Sequence, residues 1–337
     1  MANLCLTTAC NRACGYCFAR RGPARSGSRS AMDLGELDRL MGFLERSGID
    51  QVRLLGGEPT LHPRFPEILR RSLDRGFRVL VFSNGLIPED GVAALARAPA
   101  ERTAVLVNAS RLDELSPRRR RRFGEVLDRL GSRVTLGLTL DAAAVVPDFL
   151  LELIDRHHLA RCVRLGLAHP RFGGDNAFLH PRSYPAAGRR IAAFGRRAKR
   201  EGVKLELDCG FVPCMFPAGS LEALGPSGAD LGRRCGPVPD LLPGGEAVPC
   251  FPLASLARRP VDRYRDAARL RRSFEAELAP FRRIGVYRRC GTCALASDGR
   301  CRGGCLAAAL HRLSPRPPVR PLTPPLRGDP THVQRKR

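Results

Sequence analysis

The segment Cys10-Asn11-Arg12-Ala13-Cys14-Gly15-Tyr16-Cys17-Phe18 places three thiols within eight residues, close enough for one loop to wrap a single metal cluster. The number is informative. A closed structural metal site takes four protein ligands, so a triad leaves one position open for a substrate or cofactor. Further along, Gln51-Val52-Arg53-Leu54-Leu55-Gly56-Gly57-Glu58-Pro59-Thr60 reads as a buried strand running into a Gly-Gly-Glu-Pro turn. Glycines there let a ligand or another backbone approach closely, and the Glu58 carboxylate suits an ammonium partner. Each motif also has an ordinary reading. Cysteines at this spacing occur in zinc sites and disulfide-rich domains, and a strand often ends in a glycine turn.

In this order and about 40 residues apart, the two motifs resemble those of the radical S-adenosylmethionine (SAM) enzymes. The resemblance implies that Cys10, Cys14 and Cys17 hold three irons of a 4Fe–4S cluster whose fourth iron chelates the amino and carboxylate groups of SAM. An electron from that cluster would cleave SAM to a 5′-deoxyadenosyl radical, which abstracts a hydrogen atom from the substrate. It also implies that Tyr16, Gly56, Gly57, Glu58 and Pro59 line the SAM site, the backbone of the Gly-Gly-Glu-Pro segment meeting the amino group. Ser83, in Phe82-Ser83-Asn84-Gly85, and Asn108, in Val107-Asn108-Ala109-Ser110, end the next two strands and complete that site. The run Arg118–Arg122 reads mostly as a solvated face, from which one arginine, with Arg120 the candidate, could reach the SAM carboxylate. No catalytic acid or base is identified.

Strand-like runs alternate with helical patterns. Asn3–Thr8, Gln51–Leu55, Phe77–Ser83, Ala104–Asn108, Val134–Leu140 and Cys162–Ala168 read as strands. Asp33 with Glu36 reads as a helix start, followed by an apolar face of Leu37, Leu40, Met41 and Leu44 and a stop at Gly48. Phe65, Ile68, Leu69 and Leu73 form a second stripe ended by Gly76. Ser116-Pro117 opens a third helix, carrying Phe123, Val126, Leu127 and Leu130 and closed by Gly131. Such alternation implies an α/β fold with a parallel sheet and right-handed crossovers. Six units match the partial (β/α)6 TIM-like barrel of the resembled family. In full barrels the chemistry sits at the C-terminal ends of the strands, where both motifs fall.

A second cysteine system follows: Cys209, Cys214, Cys235, Cys250, Cys290, Cys293, Cys301 and Cys305. Eight thiols suffice for two fully ligated 4Fe–4S clusters. Cys235-x14-Cys250, with Gly245 before the second cysteine, and Cys290-x2-Cys293 with Cys301-x3-Cys305 resemble the SPASM/twitch extension of radical SAM peptide-modifying enzymes. The chain departs from that pattern. Seven residues separate Cys293 from Cys301 where five are usual, and no cysteine follows Cys305. The resemblance implies one cluster on Cys235, Cys250 and Cys305 with Cys214 or Cys209, and a second on Cys290, Cys293 and Cys301 whose fourth ligand is open. A zinc ribbon or a single-cluster twitch domain are the alternatives. Cys5 and Cys162 are left over and read as core thiols. Little apolar periodicity is apparent between Asp208 and Cys305. The expected organisation is a barrel at 1–207, a small cysteine-rich Fe–S domain at 208–310, and a Pro/Arg-rich tail at 311–337, disordered from Ser314.

The chain has 337 residues, enough for a large domain and a smaller one, and 43% are hydrophobic. Its formal charge of +24 is almost entirely arginine, with lysine only at 199, 204 and 336. With 6% aromatics and no tryptophan, a base-stacking platform and a nucleic-acid partner are disfavoured. No apolar run spans a membrane and no targeting signal opens the chain, so a cytoplasmic protein is expected; there, thirteen cysteines favour metal ligation over disulfides. The reading is therefore an enzyme using SAM, one SAM-binding cluster and one or two auxiliary clusters. Its expected partners are a peptide or protein substrate and an external reductant such as flavodoxin or ferredoxin. The other readings are radical chemistry on a small metabolite or tetrapyrrole, or a non-catalytic electron-transfer or metal-binding scaffold.

Overall fold

A computed structural model describes residues 1–18, 30–145, 147–224, 226–229, 231, 235 and 238–313; the expected tail from Ser314 lies outside these. Its frame is a run of parallel strands: β1 (Ala2–Thr7), β2 (Gln51–Gly56), β3 (Arg78–Ser83), β4 (Thr103–Asn108), β5 (Val134–Leu140), β6 (Cys162–Leu167) and β7 (Lys204–Leu207), side by side in chain order. Alternate side chains set the two faces. Leu4, Leu6, Val52, Leu54, Val79, Val81, Val105, Val107, Leu136, Val163 and Leu165 are buried in one continuous core with the helices. The intervening residues, among them Arg53, Phe82, Asn108 and Arg164, face the inner side.

That sheet is curled. Arg164 on β6 lies 5.5 Å from the ring centre of Phe82 on β3, three strand positions away. Across a flat sheet the separation would be about 14 Å, so the inner side is the lumen of a partial barrel. The architecture is the expected α/β barrel.

Helices cover the outside. In α1 (Leu34–Arg46) the Asp33 carboxylate accepts the Glu36 N–H at 2.8 Å, and Leu37, Leu40, Met41 and Leu44 are buried. Gly48, at φ +65°, ends it in a left-handed turn. α2 (Phe65–Asp74) buries Phe65, Ile68 and Leu69. α3 (Glu89–Arg97) follows β3. α4 (Pro117–Leu130) is capped by Ser116 and buries Phe123, Val126, Leu127 and Leu130. α5 (Phe149–Arg156) and α6 (Tyr184–Arg200) complete the ring.

Several features depart from the sequence expectation. β7 is a seventh parallel strand; its four residues, Lys204-Leu205-Glu206-Leu207, are too short a run to announce it. β8 (Asp240–Leu242) pairs parallel with β1, and β9 (Glu246–Val248) and β10 (Arg259–Pro260) extend the sheet antiparallel to a ten-stranded array. Asn3 on β1 donates to Asp240 at 2.6 Å and the Phe251 N–H donates to it at 2.7 Å; burial pushes this carboxyl up to about 7. The stretch after Asp208 is not short of apolar pattern either. The helix Ala267–Leu278 buries Ala267, Leu270, Phe274 and Leu278, and these, with Val286 and Leu306, belong to the same core as Leu4. Of the two leftover thiols, Cys5 is buried against Leu242, Val248 and Phe251, whereas Cys162 is only half-buried. No helix of the described residues is long and apolar enough to cross a membrane.

Candidate active site

The cysteine triad rises from the C-terminal end of β1. The ladder with β2 continues past both strands, the Gly57 N–H donating to the Thr7 carbonyl and the Glu58 N–H to the Ala9 carbonyl, each at 2.7 Å. Both glycines are needed for this approach. A Cβ at Gly56 would stand 2.3 Å from the Thr7 oxygen, and one at Gly57 2.2 Å from the Ala9 oxygen. The Gly-Gly-Glu-Pro segment is thus packed backbone-to-backbone against the root of the loop that carries Cys10.

The loop is pinned from several strands. Asn11 donates to the Leu86 carbonyl at 2.8 Å and accepts from Asn84 at 2.8 Å. Arg12 donates to the carbonyls of Ser110 at 2.9 Å and Arg111 at 3.1 Å. The Ala177 N–H donates to Gly15 at 3.0 Å, and Asn176 donates to the Tyr16 carbonyl at 3.1 Å. Cys10 is exposed, and Cys14 and Cys17 are partly exposed. The Cys10 sulfur accepts the Arg12 N–H at 3.4 Å and the Asn84 amide at 3.6 Å. Burial raises the Cys10 thiol, and those two donors oppose the rise. N–H groups aimed at a sulfur are among the features that tune an iron–sulfur cluster. Tyr16 is half-buried, its phenol placed between Cys14 and Ser110, and burial raises its pKa.

The Glu58 carboxylate does not face the mouth. It is buried and accepts from the Asn84 N–H and Thr60 hydroxyl at 2.7 Å, the Ser83 hydroxyl at 3.0 Å and the Thr60 N–H at 3.3 Å. Burial raises it and these donors oppose the rise. The ammonium contact expected of this side chain is therefore replaced by an internal brace, and Ser83 is consumed in the same brace. Asn84, quoted in the sequence only as part of a strand-end turn, is the residue that reaches Cys10. Pro59 opens a short turn, Pro59–Leu61. Asn108 donates to the Thr139 hydroxyl at 2.8 Å and accepts the Ser110 N–H at 2.9 Å, at the lip of the lumen. Arg120 donates to the carbonyls of Asp113 and Leu115, both at 3.3 Å, and is turned away from the triad. Its neighbour Arg119 instead donates to the Asn11 carbonyl inside the loop. One residue of difference on a helix swings a side chain by about 100°, which a run of five arginines conceals.

The later cysteines fall into two neighbourhoods. Burial, then Cys305, Asp240, Cys235 and Cys209, push the Cys250 thiol well above its ordinary value. Surrounding protein pushes Cys209 up to about 11, against a hydrogen bond from His169 and with Cys305 adding to the rise. A Cβ at Gly210 would lie 2.3 Å from His169 and 3.4 Å from Cys305. Cys209, Cys235, Cys250 and Cys305 are thus one group. In the other, burial raises Cys301 first and Cys214, Cys290 and Cys293 add to it. Cys214 likewise feels Cys290, opposed by a hydrogen bond from Arg289. Gly285 brings this group together, since a Cβ there would lie 2.6 Å from the Cys290 sulfur and 3.6 Å from Gly303, whose N–H donates to Cys301 at 3.3 Å. No disulfide joins any of the cysteines. These are neighbourhoods rather than closed cages: among the described residues, no three His, Cys, Asp or Glu side chains converge tightly enough to hold one metal ion. Phe18, just after the triad, stacks on Phe251, just after Cys250, with ring centres 5.2 Å apart.

Comparison with known proteins agrees with this arrangement. Residues 4–148 match the family model of the Radical SAM superfamily. A GTP 3′,8-cyclase of Chlorobaculum tepidum is 30% identical over 171 residues, 46% of this chain and 50% of that protein. An S-adenosylmethionine-dependent nucleotide dehydratase of Selenomonas ruminantium is 36% identical over 84 residues, 25% of this chain and 29% of that protein. The chain spans at most about half the length of these curated relatives. Two solved structures share the fold over 90% of this chain at 14% identity. Streptococcus suis SuiB bound to the precursor peptide SuiA gives a TM-score of 0.63 over 71% of its own length, and anSMEcpe with bound AdoMet and the Kp18Cys peptide gives 0.61 over 88%. Sequence and fold converge on one statement: residues 4–148 of this chain form a domain that matches the Radical SAM superfamily.

Proposed function

We propose that the protein is a radical SAM enzyme that abstracts a hydrogen atom from a peptide or protein substrate. The observation that carries this reading is a three-thiol loop at the C-terminal mouth of a partial barrel, backed by Gly56 and Gly57. The donor set fits an open-sited cluster: three thiols, one of them receiving N–H bonds from Arg12 and Asn84. Cys10, Cys14 and Cys17 would hold it. When bound, it supplies the electron that cleaves SAM, drawn from an external reductant such as flavodoxin or ferredoxin. The chain's own part is positional. Arg12, Arg119 and Asn84 fix the loop, the main chain of Gly57–Pro59 offers its polar edge to the SAM amino group, and Tyr16 and Asn108 border the nucleoside side of the mouth.

The two later cysteine groups support one auxiliary cluster each, on Cys209, Cys235, Cys250 and Cys305 and on Cys214, Cys290, Cys293 and Cys301. Metal binding would deprotonate these thiols, so cluster loading and local folding are coupled. The peptide reading draws on the fold shared with SuiB and anSMEcpe over 90% of the chain. A small-molecule substrate is the second reading, favoured by the 30% identity to a GTP 3′,8-cyclase. Anaerobic incubation with SAM, a strong reductant and either candidate peptides or GTP, followed by mass spectrometry, separates them. A peptide lighter by hydrogen atoms supports the first, and a changed nucleotide with peptides intact replaces it.

Gly57→Val tests the mouth. A side chain there must displace Ala9, next to Cys10, and overpacking of this kind costs about 1–3 kcal/mol. SAM affinity should fall about tenfold or more, together with iron at the triad, while circular dichroism stays native. Unchanged affinity and iron would return the segment to an ordinary turn.

A further inference from the structure

We propose that Arg53 and Arg164, held against Phe82 inside the barrel, bind an oxyanion of the substrate, a carboxylate or a phosphate. The Arg53 guanidinium carbon lies 5.8 Å and that of Arg164 5.5 Å from the centre of the Phe82 ring. The two cations share one small lumen, and each depends on neighbours for neutralisation. Arg164 has one, Asp208, at 3.0 Å. Arg53 touches none: among the described residues it makes no hydrogen bond or ion pair, its Nε is buried without a partner, and Asp208, Asp240 and Glu206 act on it only through space. Half-burying a cation in this way is costly unless something pairs with it.

The nearby carboxylates are committed elsewhere. Asp208 is held by Arg164 and by the Cys209 N–H at 2.9 Å. Glu206 is paired with Lys204 at 2.7 Å. Asp240 is taken by Asn3 and the Phe251 N–H. An unpaired guanidinium beside a second one, with every local carboxylate in use, is a preformed receptor for an anion from outside. Its geometry suits one. The aromatic face orients the planar forks, and a guanidinium takes a carboxylate or phosphate through two parallel N–H bonds. Arg53, Phe82 and Arg164 all retain partial exposure, so the lumen is open to them.

Position distinguishes this site from the one proposed for SAM. Arg53 precedes Gly57 by four residues on β2, so it lies about 13 Å deeper than the mouth. The inference rests on the enzyme reading for its meaning, but its test does not use SAM.

Calorimetry on the anaerobically reconstituted protein, without SAM, with pyrophosphate and separately with glutarate as probes, tests the site. At least one should bind, and which one assigns phosphate or carboxylate as the preferred group. Arg53→Met and Arg164→Met should each weaken it about tenfold or more, the scale of a lost hydrogen-bonded charge pair. Arg78→Met, at the exposed N-terminal end of β3 where the side chain pairs with Asp50, should bind as wild type. Arg53→Lys, which keeps charge and volume but loses the fork, should fall between wild type and Arg53→Met, and it decides the matter if the methionine variant loses its native circular dichroism. Absence of binding of either probe to wild type, or wild-type affinity in folded Arg53→Met or in Arg53→Lys, overturns the proposal. Failure to cleave SAM would sink the enzyme reading and leave this binding result standing.

Discussion

Replacing Cys10, Cys14 and Cys17 together by alanine will abolish 5′-deoxyadenosine formation and leave the barrel folded. The loss should be complete rather than graded, because the three thiols act as one unit and no other cysteine shares their loop. The fold should survive because the loop's anchors do not involve sulfur: Asn11 to Leu86, Arg12 to Ser110, and Gly57 and Glu58 to the β1 end all remain. Reconstituted protein should lose about four irons, the content of one cubane cluster, and keep those of the later cysteines. Undiminished SAM cleavage in the triple variant would refute the assignment. So would loss of all iron, which would mean that the later groups cannot fill independently.

The second large effect is expected at Cys214. If it completes the group of Cys290, Cys293 and Cys301, then Cys214→Ala should remove about four irons from a total of about twelve, and so should Cys290→Ala. The double variant should lose no more than either single one, since both strip the same cluster. Pairing Cys214→Ala with Cys250→Ala should instead remove about eight, because the two lie in different neighbourhoods. This pattern of additivity and its failure reads the grouping directly. Full iron content in Cys214→Ala would remove this residue from the set. Stoichiometric zinc in place of iron would make the region a structural zinc module.

Much of this was legible in the chain itself. Strand and helix assignments rest on local periods, and a period of two or 3.6 survives in a short window. Hence Val134–Leu140 is the strand read from sequence, and the caps at Asp33 and Ser116 bond as their residue types require. The triad was legible for the same reason, since all three thiols lie within one loop. Short elements were not: β7 and the β8–β9 hairpin have too few residues for a period, and they form because β6 and β1 offer open edges to pair with. The apolar stripe of Ala267–Leu278 was hidden by the arginines between its members.

Tertiary structure alone decided the rest. Cys209 and Cys214 are five positions apart yet enter different groups, because the chain leaves β7 and turns at Pro213–Met215 before reaching Cys290. Spacing cannot encode that, since thiols separated by up to 96 residues (Cys209 to Cys305) are joined only by folding. Glu58 could have pointed to the mouth or inward; three residues from two segments, Thr60, Ser83 and Asn84, supply the donors that turn it inward. Arg53, Phe82 and Arg164 look unrelated in sequence. They meet because the strands twist and the sheet curls, bringing β6 across the lumen to β3, and that curvature is a property of the whole sheet and of no single segment.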